Sequence, residues 1–297
     1  MRIRNYSRTF EGTPVHFCVY YPEGGIARRV AFLCSPLGDC ACWDRVCTRM
    51  CALGALCVAI EMPGFGTNPP GAPQNNTKRA QICWGVLDEV ERMTKTENSR
   101  WHLVSHGSAC GIVLEMTCTY TDSVISRTLI SPVTNRFMSR VAQTFIQSKP
   151  GRYCLYRAFM FMAGNYNRLL SKLGKLYGGR ISYERARELY RQIGDIKRFD
   201  TVADMLENGY RNRKKAYAAQ NHILFISGSR DSLADNDISA RKYGLVNIIE
   251  NHSINTSSHM LPETHPRETA DFPKGWFDYS EGRIKQPKRL DTKGAGL

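Results

Sequence analysis

The chain has 297 residues, 42% of them hydrophobic and 23% charged, the composition of one large globular domain or of one domain carrying an insert. That composition excludes a disordered or collagen-like chain, and the lack of any run of 18 apolar residues excludes a spanning helix. Lysine and arginine number 41 against 27 acidic residues, a net charge of +14, and a field of that sign favours anionic partners.

Residues 5–21 alternate around Glu11-Gly12-Thr13-Pro14, which predicts two strands joined by a turn. Arg29 to Cys34 reads as a short apolar strand ending at Ser35-Pro36-Leu37-Gly38. Trp43 to Leu53 reads as an amphipathic helix with Val46, Met50 and Leu53 on one face. Leu56 to Ile60 is a buried strand closed by Glu61-Met62-Pro63-Gly64-Phe65-Gly66, and a loop rich in proline, glycine and asparagine follows. A helix from about Lys78 to Thr94 leads to the strand Trp101–Val104, the tight turn Ser105-His106-Gly107-Ser108 and a helix from Ala109 to about Tyr120. Further strands are predicted at Ser126–Ile130, His222–Ile226 and Val246–Glu250, with Gly228-Ser229-Arg230-Asp231 and Ser257-Ser258-His259-Met260 after the last two. Strands alternating with helices imply a mostly parallel sheet covered on both faces. In such sheets the chemistry sits beyond the carboxyl ends of the strands.

The charge is not spread evenly. Between Asn135 and Gln220 there are 18 basic and 6 acidic residues, so this stretch carries +12 of the +14. A segment with its own charge regime reads as an insert, and the expected organisation is a core over 1–133 and 221–276, a basic, aromatic-rich insert over 134–220, and a loose polar, basic tail over 277–297.

The run VAFLCSPLGDCACWDRVCTRMCALGALCVAIEMPGFGTN, with HLVSHGSACGIVLEM, ISGSRDS and SSHMLPETHPRE in that order, resembles the α/β-hydrolase superfamily. These stretches look like its oxyanion strand, nucleophile elbow, acid loop and histidine loop. The resemblance implies an α/β-hydrolase fold, a mostly parallel sheet with helices on both faces and a helical cap over the site. At the elbow the family has small-x-nucleophile-x-small, because a strained strand-to-helix turn needs minimal neighbours. Laid down without gaps, Ser105-His106-Gly107-Ser108-Ala109 puts Gly107 at the nucleophile position, whereas a shift by one makes Ser108 the alternative nucleophile. Asp231 matches the family's acid and His259 its base. The backbone N–H groups of Leu37 and Ser108 match its oxyanion hole, although Ser35-Pro36 stands where the family has His-Gly and proline removes one donor.

Three readings follow. In the first the chain is an enzyme acting on an acyl, ester, thioester or carbonyl substrate, with the His259–Asp231 pair as general base and no serine nucleophile, since a hydrogen cannot attack a carbonyl. In the second it binds a ligand or acts as a scaffold without turnover. In the third it is a serine esterase or thioesterase using Ser108. Thirteen of the 26 Phe and Tyr residues lie between Phe137 and Tyr217, where they line a pocket for an acyl or aromatic substrate or form the cap's own core. The basic cap suits an acidic carrier protein, coenzyme A or an anionic lipid surface. The absence of any helix-turn-helix, zinc-finger or RNA-recognition signature argues against nucleic acid. Eleven cysteines without a C-x-x-C pair fit no structural zinc pattern, so neither metal nor cofactor is expected. MRIRNYSRTF lacks an apolar stretch typical of a secretory signal, and the thiols then read as free in a reducing, cytoplasmic setting. His16, His102 and His252 read as strand-associated histidines with no identifiable partner.

Overall fold

The structure, a computed structural model, describes residues 1–36, 38–71, 74–96, 99–133, 144–179, 181–208, 222–234 and 249–285. Its centre is an eight-stranded sheet ordered β1-β2-β4-β3-β5-β6-β7-β8. Strands β1 (Arg2–Phe10) and β2 (Thr13–Tyr21) form an antiparallel hairpin whose second strand pairs antiparallel with β4 (Ala55–Ile60). All later pairings are parallel, through β3 (Arg28–Leu33), β5 (Trp101–His106), β6 (Val124–Ile130), β7 (His222–Gly228) and β8 (Ile249–Ile254). The six parallel strands therefore end on one edge, and their following loops form one rim.

Every residue of β4 and β5 is buried, as expected of interior parallel strands covered on both faces. One face packs on α2 (Asn76–Thr94) and α3 (Cys110–Thr119) through Val86, Leu87, Ile112 and Val113. The other packs on α1 (Asp44–Cys51) and α8 (Pro266–Ser280) through Val46, Met50, Trp276 and Phe277. Among the described residues four more helices, α4 (Lys149–Ala163), α5 (Tyr166–Leu176), α6 (Tyr183–Ile193) and α7 (Ile196–Asn208), lie between β6 and β7. Three of them begin at side-chain caps: Ser148, Asn165 and Ser182 accept the N–H groups of Gly151, Arg168 and Arg185. Ala163, Leu169, Leu173, Ala186 and Leu189 form their shared apolar centre.

Several boundaries differ from expectation for identifiable reasons. Asn75 accepts the N–H of Lys78 at 2.8 Å and starts α2 two residues earlier than expected. Helix α1 stops at Cys51, and Leu53 turns out to solvent, 53% exposed, because the chain reverses over Ala52–Gly54 to enter β4. Strand β8 runs Ile249–Ile254 rather than Val246–Glu250; its polar Asn251, His252 and Ser253 hide the pattern, which an edge strand tolerates. Residues 246–248 lie outside the described residues. Residues 277–280, expected in the tail, belong to a helix, and residues 286–297 lie outside the described residues. Helix α8 continues to Ser280, and Phe277 is only 1% exposed because it stacks on His102.

Candidate active site

Strand β5 delivers His106 in extended conformation, and the chain reverses into α3 through Gly107 at φ +60°. This left-handed conformation costs a side chain energy and costs glycine nothing. A Cβ on Gly107 would lie 3.6 Å from His259 Nε2, 3.5 Å from Ser35 Cβ and 3.9 Å from Val133 Cγ2. The notch at the elbow is thus bounded by an imidazole and by the loops after β3 and β6. Ser108, the next residue, is half-buried, and among the described residues its hydroxyl makes no hydrogen bond with His259.

Asp231 follows β7 by three residues. Its fully buried carboxylate directs Oδ2 at His259 Nδ1, 2.8 Å away, while Oδ1 accepts the N–H groups of Leu233 (2.8 Å) and Ala234 (3.2 Å). A carboxylate so placed is an acceptor, so Nδ1 carries the proton and the Nε2 lone pair faces the notch. The loop bearing His259 passes close over β7: a Cβ on Gly228 would meet the Ser258 carbonyl at 2.7 Å, so only glycine fits there.

His106 supports His259 through the backbone. Its Nε2–H donates to the His259 carbonyl at 2.9 Å, with ring centroids 5.0 Å apart. Burial first, and the neighbouring His259 second, lower its pKa to about 3, so the ring stays neutral. The Leu176 carbonyl at the end of α5 accepts the N–H groups of His259 (2.7 Å) and Met260 (3.1 Å). Arg185 on α6 forks onto Glu263, Nε to Oε2 at 3.1 Å and Nη2 to Oε1 at 2.9 Å, and its Nη1 also reaches Glu188 at 2.6 Å and Asp39 at 3.5 Å. Arg198 on α7 donates to the carbonyls of Gly64 and Asn68, and α7 packs over the elbow turn. These inward arginines separate from Arg157, Arg168, Lys172, Lys175, Arg187 and Lys197, which are exposed.

Of the expected oxyanion donors, Ser108 sits at the elbow, whereas Leu37 lies outside the described residues. The loop that carries it is anchored on both sides. Gly38 N–H donates to the Ser35 carbonyl at 2.8 Å, and Cys40 N–H donates to Glu61 Oε1 at 3.1 Å. Glu61 Oε2 accepts the N–H and hydroxyl of Thr67 at 2.7 and 2.9 Å, and burial pushes its carboxyl up to about 7.

The cap aromatics are divided. Phe159, Tyr177 and Tyr190 pack on the cap's own apolar centre, while Tyr153, Tyr183 and Phe161 are exposed, Phe161 by 83%. Phe137, Tyr210 and Tyr217 lie outside the described residues. All eleven cysteines are free and nine are buried. The histidines have partners: His102 contacts Ser126 and Glu281, His16 contacts Ser7 and Cys18, and His252 contacts Glu250. Sequence reasoning did not find Leu176, Arg185 or Val133 near the site. The only signal for Val133 is its place just past the end of β6, and nothing in the pattern marks the other two.

No protein-family model and no curated protein sequence matches the chain. Solved structures do. A bacterial membrane phospholipase A described as a virulence factor matches with a TM-score of 0.72 at 15% identity, covering 94% of this chain and 87% of its own. The epoxide hydrolase CorEH matches at 0.73 and 13%, covering 93% and 99%. The haloalkane dehalogenase DbeA from Bradyrhizobium elkani USDA94 matches at 0.72 and 14%, covering 95% and 100%. Among the described residues, no helix is long and apolar enough to cross a membrane. With six parallel strands ending on one rim, helices on both faces and these structural likenesses, the chain has the α/β-hydrolase fold.

Proposed function

We propose that the protein hydrolyses an activated acyl substrate, an ester or thioester, by general-base catalysis without a covalent intermediate. The observation that carries this reading is the 3.6 Å between His259 Nε2 and the place of a Gly107 Cβ, beside an Asp231–His259 contact of 2.8 Å. A water in the notch gives a proton to Nε2 as its oxygen bonds to the carbonyl carbon. Asp231 stabilises the imidazolium that forms. The N–H of Ser108 at the elbow holds the developing oxyanion. Collapse then breaks the bond to the leaving alcohol or thiol, which takes the proton from His259. The exposed cations of the cap suit a substrate with an anionic handle, such as coenzyme A or an acidic carrier protein.

The test is turnover of p-nitrophenyl esters and acyl-coenzyme A thioesters by the whole chain. His259→Ala and Asp231→Asn should each lower kcat by roughly 10²–10⁴-fold. Ser108→Ala should leave the rate within a few-fold, and intact mass should show no acyl adduct. A fluorophosphonate adduct on Ser108 would support the serine-esterase reading instead. Saturable ligand binding with no turnover, unchanged in His259→Ala, would support a binding module.

A further inference from the structure

A second cluster lies on β2, which β4 and β3 separate from the elbow strand β5 in the sheet. His16 and Cys18 are two apart on β2 and so share one face of the strand. Cys40 opens the 3₁₀ turn Cys40–Trp43 and comes close to both. A ring nitrogen of His16, Cys18 Sγ and Cys40 Sγ all lie within 4.8 Å of one another. His16 Nε2 is 3.8 Å from Cys18 Sγ. Ligands bonded at about 2.0 Å (nitrogen) and about 2.3 Å (sulfur) to one tetrahedral or trigonal ion stand roughly 3.6–3.8 Å apart, so this edge has the length such an ion needs.

The surroundings match a ligand set as well. His16 Nδ1 faces the Ser7 hydroxyl at 3.1 Å, which fixes the ring and leaves Nε2 as the inward donor, the outer contact that metal-binding imidazoles commonly have. Asn5, paired with Cys18 across the hairpin, puts Oδ1 2.7 Å from Cys18 Sγ and adds an oxygen donor beside the three. Both thiols are nearly inaccessible, Cys18 at 5% and Cys40 at 4% exposure. Two thiolates and a neutral imidazole cancel the charge of a divalent ion, whereas a monovalent ion would leave a net negative charge buried.

We propose that His16, Cys18 and Cys40 form a binding site for Zn²⁺, separate from the catalytic notch. Binding converts two thiols to thiolates, forms two Zn–S bonds and one Zn–N bond, and releases two protons to solvent. The ion would clamp β2 to the loop after β3, the loop that reaches the elbow through Ser35. The non-local pairing of residues 16 and 18 with 40 explains why no C-x-x-C pattern announces it.

The experiment uses the full chain, purified under reducing conditions, stripped with a chelator and titrated with Zn²⁺ and with Co²⁺ as a coloured substitute. The expected result is about one equivalent of Zn²⁺ per chain and, with Co²⁺, thiolate-to-metal charge-transfer absorption. Cys18→Ser, Cys40→Ser and His16→Gln should each weaken Zn²⁺ binding by at least about tenfold, and Cys154→Ser should not. Binding below about a tenth of an equivalent, or equal binding by Cys18→Ser and Cys40→Ser, would overturn the proposal. So would a Cys18–Cys40 disulfide in the purified chain, or Cu⁺ binding at these residues without Zn²⁺ binding. If a serine variant does not fold, the wild-type Co²⁺ spectrum decides: thiolate charge transfer supports the site, and its absence at saturating Co²⁺ overturns it.

Discussion

The carbonyl oxygen of Leu176 accepts the backbone N–H of His259 at 2.7 Å. A residue at the end of a cap helix thus holds the loop that carries the candidate base, and Arg185 clamps the same loop one turn later through Glu263. The cap and the base loop are therefore mechanically one piece.

Arg185→Met should lower stability by about 2–3 kcal/mol, the cost of leaving a mostly buried Glu263 without its cation and with only the Tyr177 hydroxyl donating to it, reduced for its partial exposure. Arg185→Lys should recover only part of this, because an ammonium cannot reproduce the two-pronged contact with both carboxylate oxygens. Urea denaturation of both variants measures the difference. Equal stability of Arg185→Met and wild type would show that the clamp contributes nothing.

Gly107→Ser should create a reactive hydroxyl. The nearest neighbours of the added Cβ stand at 3.5 Å or more, so space permits the side chain. The φ of +60° costs roughly 1–2 kcal/mol. Labelling by a fluorophosphonate should appear at position 107 in the variant and be lost again when His259→Ala is added. A folded variant that stays unlabelled would mean that His259 Nε2 does not face this position.

Acid stability should depend on His106. Its pKa is lowered from 6.5 to about 3 in the fold. Between these values the unfolded chain binds a proton that the native state does not. Stability is therefore complete above about 6.5 and declines as pH falls toward about 3, with a slope of up to about 1.4 kcal/mol per pH unit. His106→Gln keeps a donor for the His259 carbonyl but cannot titrate. Thermal melts across this range should show a shallower acid decline for the variant than for wild type.

Asp204→Asn should loosen the cap at a second point. Arg79 on α2 is fully buried and pairs with Asp204 on α7 at 3.2 Å, and among the described residues its Nε and Nη1 have no hydrogen-bond partner. Neutralising Asp204 strands this guanidinium, and a loss of about 3–5 kcal/mol is expected by chemical denaturation. Arg79→Met with Asp204→Leu should restore much of it, since an apolar pair removes the buried charge as well.

Strands β3 to β7 were legible because interior parallel strands are apolar on both faces and end in glycine, proline or serine turns. The end of β8 was missed because an edge strand can be polar and still pair. Gly107, Asp231 and His259 were picked out through the resemblance of their stretches to the elbow, acid loop and histidine loop of the α/β-hydrolases, and they converge in space; the chemistry assigned to them is a proposal. The contacts that hold them there were not legible. Arg185 and Glu263 are 78 residues apart, and no periodicity or spacing links a cap helix to a core loop. The division of the cap aromatics between its own centre and solvent was equally hidden, since only the packing of α4–α7 decides which ring faces which way.

The hairpin that begins the chain leaves β1 as an outermost strand, with seven of its nine residues exposed. Arg2, Arg4 and Arg8 lie along it. A second molecule adding its own hairpin edge to edge would bring like guanidinium groups together, so the open row of backbone donors and acceptors is guarded against intermolecular sheet growth by charge repulsion. Raising the salt concentration screens that repulsion, and self-association through this edge would grow with ionic strength.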